Sequence, residues 1–270
     1  MSNIPSHAII LAAGLGSRLR PLTDTRPKPL VEVHGTPILH NALANLAALG
    51  VTETTIVVGY RKDDIMASCG DTFDGMNIIY VESSVFERTG SAYSLWLARD
   101  TLLKGDIFLL EGDVFFEKSA LTRLLDHEGN VAALDVFDEM MSGSAVILSD
   151  DGQVREFRMN QSSADPSAEP LYKTINLFRF GADTLRDHLV PRLDDLVASG
   201  GSKAYVEQVL AGLIADGGLR IKSALCDDLR WFEIDSTADL CVAERIFRGQ
   251  RPNLAGAAMA DRPAAMPNGL

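Results

Sequence analysis

Unbroken apolar runs, each followed by a stretch of helical period, recur through the first 135 residues, and this alternation constrains the fold more than any other feature. His7–Ala12 (HAIILA) is the first run, ending at glycines in the manner of a buried parallel strand. Thr54–Val58, Asn77–Val81, Asp106–Leu110 and Val131–Val136 read as further strands. Residues 36–49, Asp63–Cys69, Ser91–Asp100 and Lys118–His127 read as the helices between them. In the first helix Thr36 is placed as N-cap, Pro37 at N1 and Gly50 as the stop. This order predicts an α/β fold with a doubly wound, mostly parallel sheet and right-handed crossovers. After residue 136 the texture changes. Ser144–Leu148, Gln153–Phe157 and Tyr172–Phe180 follow one another as strands, with a turn at Asp150-Asp151-Gly152. They predict a small antiparallel insertion, about 136–180, beside the main sheet. Helices at 182–198 and 203–215, strands at 219–224 and 230–234, and a helix at 237–248 complete one domain spanning 1–248. The polar stretch 160–169 is expected to be mobile, and the Ala-, Pro- and Gly-rich residues 249–270 a disordered tail.

The chain has 270 residues, 46% of them hydrophobic, which suffices for a full core. No membrane span is expected, because the apolar run Ala8–Ala13 is too short, and without a basic leader no signal peptide is expected either. The three cysteines are scattered with no CxxC pair, which points to a reducing, cytoplasmic setting. A net charge of −12 argues against nucleic-acid binding. A homodimer is left open. The cations are unevenly placed: Arg18, Arg20, Arg26 and Lys28 crowd one segment, with Asp24 the only acid between them.

That segment, LAAGLGSRLRPLTDTRPKPL, follows the first strand, at the sheet edge where α/β folds bind ligands. Gly14 and Gly16 allow backbone N–H groups to approach phosphate. Leu19 stands where a dinucleotide fingerprint needs glycine, and no Gly-Lys-Ser/Thr follows, so neither dinucleotide nor Walker-type binding is indicated. A nicotinamide-dependent oxidoreductase is disfavoured on the same ground. Pro27 and Pro29 restrict the backbone around Lys28, holding a flexible cation in place. Pro-Lys-Pro alone reads rather as a rigid surface turn; Arg18 and the glycines turn the reading to function.

Gly14-Leu15-Gly16-Ser17-Arg18-Leu19, Pro21-Leu22-Thr23, Pro27-Lys28-Pro29-Leu30, Val33, Gly35 and Pro37 together resemble the signature of the sugar-nucleotide-type nucleotidyltransferases. The resemblance implies a Rossmann-like fold of the nucleotide-diphospho-sugar transferase type. It implies that Ala12, Ala13, Gly14, Gly16, Ser17 and Arg18 bind the nucleotide, Arg18 at its β- and γ-phosphates. Lys28 would contact the α-phosphate and the acceptor's anionic group.

Asp113 follows the strand DIFLLEGD and Asp235 follows WFEID, both at strand ends that can face one cleft. Mg²⁺ uses one or two carboxylates plus substrate phosphates. Each aspartate could instead cap the helix after it. The resemblance matches Glu111-Gly112-Asp113 and Phe232-Glu233-Ile234-Asp235 to the family's metal-binding aspartates, and Glu111 is then expected behind the metal ligands or in the core.

Within the family the chain is most similar to the short cytidylyltransferases acting on phosphocholine and 2-aminoethylphosphonate. Thr89-Gly90-Ser91-Ala92-Tyr93-Ser94-Leu95, Met141-Ser142-Gly143-Ser144-Ala145-Val146 and Tyr172-Lys173-Thr174-Ile175-Asn176 carry this likeness. It implies CTP as donor and a small phosphonate or phosphorylated acceptor. No C-terminal left-handed β-helix, as in some larger relatives, is expected. Thr89 and Ser94 are candidates for base or ribose contacts, with helix capping the alternative. Lys173 and Asn176 are candidate acceptor contacts, and Asp135 and Asp138 could receive an ammonium group. Aromatic residues make up only 7% of the chain, which favours a primary amine or uncharged head group over choline. The competing readings are a sugar-1-phosphate nucleotidyltransferase using UTP, dTTP or GTP, and a non-catalytic nucleotide-sensing subunit. The latter should have lost Arg18, Lys28, Asp113 or Asp235, and all four are present.

Overall fold

The structure is a computed structural model, described here for residues 4–138, 141–162 and 169–248. The expected tail, 249–270, and most of the expected mobile stretch fall outside the described residues. Its first residues, Asn160 to Ser162, instead end a strand.

The strands are β1 (His7–Ala12), β2 (Glu32–Val33), β3 (Thr36–Pro37), β4 (Glu53–Val58), β5 (Thr72–Phe73), β6 (Met76–Glu82) and β7 (Ile107–Glu111). They continue as β8 (Val114–Phe116), β9 (Val131–Val136), β10 (Ser142–Leu148), β11 (Val154–Ser162), β12 (Tyr172–Phe180), β13 (Lys222–Leu225) and β14 (Trp231–Glu233). One ten-stranded sheet runs β11-β10-β12-β7-β1-β4-β6-β5, with β9 also on β12 and β13 beyond it. Its centre, β7-β1-β4-β6, is parallel. Both faces are covered, as an unbroken apolar strand requires. Ala8, Ile10 and Ala12 pack on one side with Leu39 and Leu43 of the helix Ile38–Leu49. Ile9 and Leu11 pack on the other with Leu95, Leu193 and Leu210.

The antiparallel strands of the expected insertion lie next to β7, at the edge of the parallel centre of the sheet. They extend it, because β12 pairs with β7 through Leu177 and Leu110. The N-terminal part of the same edge of β12 pairs with β10, Lys173 opposite Ala145. Between the two, Asn176 adopts φ 59°, and the register against β9 shifts between Thr174 and Phe178. The sheet therefore forks at Asn176, and a cleft opens at the fork.

Three local expectations change. Thr36 does not cap a helix: it lies in β3, paired with Val33 across a hairpin whose turn residues, His34 and Gly35, both have positive φ. The helix begins at Ile38 with Pro37 at its N-cap. The helix expected over Lys118–His127 contracts to Ser119–Arg123. Ser91–Asp100 divides at Ala98 into two short helices. β8 was not anticipated at all. It forms a two-stranded antiparallel ribbon with β14, apart from the main sheet. A third apolar cluster, with Leu19, Val31, Val33, Phe115, Ile234 and Phe247, fastens this ribbon to the glycine-rich segment and the last helix, Thr237–Ile246.

Candidate active site

The glycine turn leaves β1 and packs directly onto Lys28. Gly16 has φ 61°, and a Cβ there would lie 2.7 Å from the Lys28 Cβ. Thr23, fully buried, donates from Oγ1 to the Gly16 carbonyl at 2.9 Å, and the Tyr60 hydroxyl donates to the Thr23 carbonyl at 2.8 Å. Lys28–Leu30 forms a single tight turn bounded by Pro27. The lysine backbone is thereby fixed on both sides, as its prolines predict.

Asp113 lies between β7 and β8, just after Gly112, where a Cβ would sit 2.9 Å from the Leu11 carbonyl. Asp235 follows β14. Because β8 and β14 pair with Val114 opposite Glu233, and Ile234 N–H donates to the Asp113 carbonyl at 2.9 Å, the ribbon makes the two aspartates neighbours. Neither caps a helix. The last helix is capped by Ser236 with Asp239, and the helix after β8 has Lys118 at its N-cap.

Lys28 Nζ donates to Asp113 Oδ2 at 2.8 Å and to Asp235 Oδ1 at 2.7 Å. Arg18 Nη2 reaches Asp235 Oδ1 at 2.8 Å, with its own side chain largely in solvent. Burial would lower the Lys28 pKa, but the two aspartates outweigh it and hold the ammonium above the usual lysine value. Burial would raise Asp235; Lys28 and Arg18 prevail and hold it below the usual carboxylate range. Both carboxylates thus converge on one cationic point. Asp113 Oδ1 is buried with no hydrogen-bond partner, a spare oxygen acceptor at that point. Among the described residues no three His, Cys, Asp or Glu side chains form a closed metal site.

The cleft around this point has a volume of about 520 Å³. Ala12, Ala13, Gly14, Gly16, Ser17, Arg18, Lys28, Thr89, Ser94, Asp113, Lys173, Asn176 and Asp235 all line it. Thr89 donates to the Val85 carbonyl at 3.1 Å, and the helix Ser91–Leu97 has Gly90 at its N-cap, so neither Thr89 nor Ser94 acts as a cap. Asp135 is not in the lining: its carboxylate accepts from Trp231 Nε1 at 2.6 Å and from the Val136 N–H. Asp138 is also outside the lining. The cleft thus does not bring Asp135 and Asp138 together with the other candidates: the Asp135 carboxylate is engaged with β14 and β9, and neither residue is among the described residues that line the cleft. Phe115, Phe116 and Trp231 are core.

Sequence reasoning placed Glu111 behind the metal ligands or in the core, and gave no role to the two glutamates that share the wall with it, Glu207 and Glu233. Glu111 ends β7, Glu233 ends β14, and Glu207 opens the helix Val206–Ala215; all three line the cleft. Lys173, 2% exposed, reaches Glu233 Oε2 at 2.8 Å and donates to the Thr174 carbonyl. Burial raises Glu233, partly opposed by Lys173. Glu111 is raised well above the usual carboxylate range, first by burial and then by Glu207, Asp113 and Glu233. Strand period was a usable signal for two of them. Glu111 and Glu233 each lie two residues before an aspartate and so share its side of the chain.

Residues 7–155 match the sequence profile described as nucleotidyl transferase. The chain belongs to the nucleotidyl transferase family. Among curated members, the CMP-5'-(3-aminopropyl)phosphonate synthase of Streptomyces rubellomurinus is 35% identical over 250 residues, 92% of this chain and 40% of that protein. The 2-aminoethylphosphonate cytidylyltransferase of Lancefieldella rimae is 37% identical over 109 residues, 40% of this chain and 43% of that one. The chain thus spans less than half the length of these curated relatives. The solved CTP:phosphocholine cytidylyltransferase of Streptococcus pneumoniae superposes with a TM-score of 0.74 at 22% identity, over 89% of this chain and 98% of that one. This last likeness establishes the nucleotidyl transferase fold. Among the described residues no helix is long and apolar enough to cross a membrane.

Proposed function

We propose that the protein transfers CMP from CTP to a small phosphonate or phosphorylated amino alcohol, releasing pyrophosphate. One observation carries the reading: a single ammonium, Lys28, joins Asp113 and Asp235 beside the glycine turn that also presents Arg18. The two relatives named for CMP–phosphonate chemistry support the choice of nucleotide and acceptor class. The presence of all four charged residues in one cleft favours an enzyme over a nucleotide sensor.

The glycine turn would hold the triphosphate through backbone N–H groups. Arg18, largely exposed, would take the β- and γ-phosphates and stay with the departing pyrophosphate. Lys28 would exchange its aspartate partners for oxygens of the α-phosphate, where charge grows as the acceptor oxygen attacks in line. A phosphate monoester is already largely dianionic at pH 7, with a second pKa of about 6, so the attack needs no general base. Asp113 and Asp235 fit a divalent cation: two converging carboxylates, one with an unused oxygen, leave other positions for substrate phosphates. Mg²⁺ bound there would neutralise phosphate charge and align the reacting oxygens.

Pyrophosphate release measured for CTP, UTP, dTTP and GTP against 2-aminoethylphosphonate, 3-aminopropylphosphonate, phosphocholine and hexose 1-phosphates tests the reading. CTP with an aminoalkylphosphonate should give the highest kcat/KM. Lys28→Ala and Asp113→Ala should each lower kcat by at least about a hundredfold, the scale for removing one preorganised charge-stabilising group. A hexose 1-phosphate turned over faster with UTP, dTTP or GTP would replace this reading with the sugar-nucleotide one.

A further inference from the structure

The cleft wall beyond the phosphate cations carries more negative charge than its own residues compensate. Of its three glutamates, Glu233 is matched by Lys173 at 2.8 Å. Glu207 is only 8% exposed, yet the hydrogen bond shown for its carboxylate comes from a neutral group, the Ser144 hydroxyl, at 2.9 Å. The Glu111 carboxyl has no hydrogen-bond or ion-pair partner among the described residues. Lys28, a cation that acts on Glu111, is committed to Asp113 and Asp235. A carboxylate as buried as Glu207 is costly without a cationic partner. A ligand that brings a cation would supply the partner.

The surroundings narrow its chemistry. A primary ammonium carries three N–H donors, and Glu207, Glu111 and the Ser144 oxygen all offer acceptors. A quaternary ammonium carries none and is held by a cage of aromatic faces. Among the described residues, Phe86 and Tyr205 are the only aromatic ones that line this cleft, too few for a cage. Charge is thus divided within one cleft, with Arg18 and Lys28 beside the glycine turn and the Glu207 carboxyl, without a cation, in the wall formed by the helix Val206–Ala215 and Ser144. An acceptor matching both is a zwitterion.

We propose that Glu207, with Glu111 beside it, receives the protonated primary amine of the acceptor and makes the enzyme selective for aminoalkyl phosphonates or phosphates over the same molecules lacking the amine. This deepens, and rests on, the cytidylyl-transfer reading above.

The test compares kcat/KM for 2-aminoethylphosphonate with that for ethylphosphonate, and 3-aminopropylphosphonate with propylphosphonate, in the wild type and in Glu207→Gln. Glutamine keeps the shape and an acceptor for Ser144 while removing the charge. The wild type should prefer the amine by about ten- to a hundredfold, the size of one charge-assisted hydrogen bond, and Glu207→Gln should bring that ratio close to one. A wild type indifferent to the amine overturns the proposal without any variant having to fold. A ratio unchanged in a folded Glu207→Gln, or a wild type that prefers phosphocholine to both primary amines, overturns it as well. The reaction itself fails separately: no pyrophosphate with any CTP–acceptor pair refutes cytidylyl transfer, whereas turnover of amine-free and amine-bearing acceptors alike refutes only the amine site.

Discussion

At the scale of single residues the cleft sets function against stability. Four carboxyl groups, Glu111, Glu207, Glu233 and Asp113, act on one another there, and Glu111 pays most, being raised well above its ordinary value of 4.5. A carboxyl whose pKa is raised on folding contributes stability while it is protonated in the folded chain. That contribution is complete below the unfolded value and is lost as pH rises through the folded one. The ligand-free protein should therefore lose stability as pH climbs from about 4.5. Glu111→Gln removes the ionisation and should leave the variant the more stable protein at about pH 8, by roughly 1–2 kcal/mol, the usual scale of relieving a strained active site. At about pH 5 the advantage should shrink. Urea denaturation at both pH values reads the difference, and a gap that does not widen with pH would show that Glu111 is not crowded.

At the scale of elements, legibility followed the range of the interactions that fix each one. The Gly16 turn and the Pro27-Lys28-Pro29 segment were readable because glycine and proline act on their own backbone. The central strands were readable because burial on both faces leaves an unbroken apolar string. The β8–β14 ribbon was not. Three-residue strands carry no period, and their partners lie far apart in the chain, so the convergence of Asp113 and Asp235 was expected without the element that produces it. Asp135 could not be placed from the sequence, because an acidic residue at a strand end looks the same whether it faces a cleft or a buried tryptophan N–H. Glu207 was illegible for another reason. Its place depends on how its helix docks. Gly90 N–H donates to the Ser202 carbonyl at 2.8 Å, and a Cβ on Gly90 would lie 2.2 Å from the Ala204 carbonyl. Gly90 has φ −94°, so alanine is acceptable to its backbone, and only this close approach demands glycine. Gly90→Ala should push the 202–204 segment away, costing roughly 1–3 kcal/mol, and should raise the acceptor KM because the helix carrying Glu207 moves with it. Thermal denaturation with acceptor titration checks both; an unchanged Tm would mean the two segments are not in contact.

At the scale of the whole molecule the question is whether the cleft and the sheet open together. β1 runs through the middle of the sheet straight into the glycine turn, and the Lys28 turn is tied to β8 and β14 through a shared apolar cluster. Ligand binding at the turn should therefore stabilise the sheet as one unit. The three cysteines report on this. Cys69 and Cys226 are buried in the core on one face of the sheet, and burial pushes each thiol up to about 12. Cys241 is exposed on the last helix. A thiol reagent at about pH 8 should modify Cys241 at once and the other two only as the protein opens, since the thiolate is the reactive form. A ligand that binds only the folded state adds about 2.7 kcal/mol at a hundred times its Kd. With CTP and Mg²⁺ at that level, labelling of Cys69 and Cys226 should slow by about a hundredfold while Cys241 keeps its rate. Mass spectrometry of the modified peptides resolves the three sites. Equal slowing at Cys69 and Cys226 is the signature of one cooperative unit, and slowing at Cys226 alone would mean that the edge carrying Cys69 opens without disturbing the nucleotide.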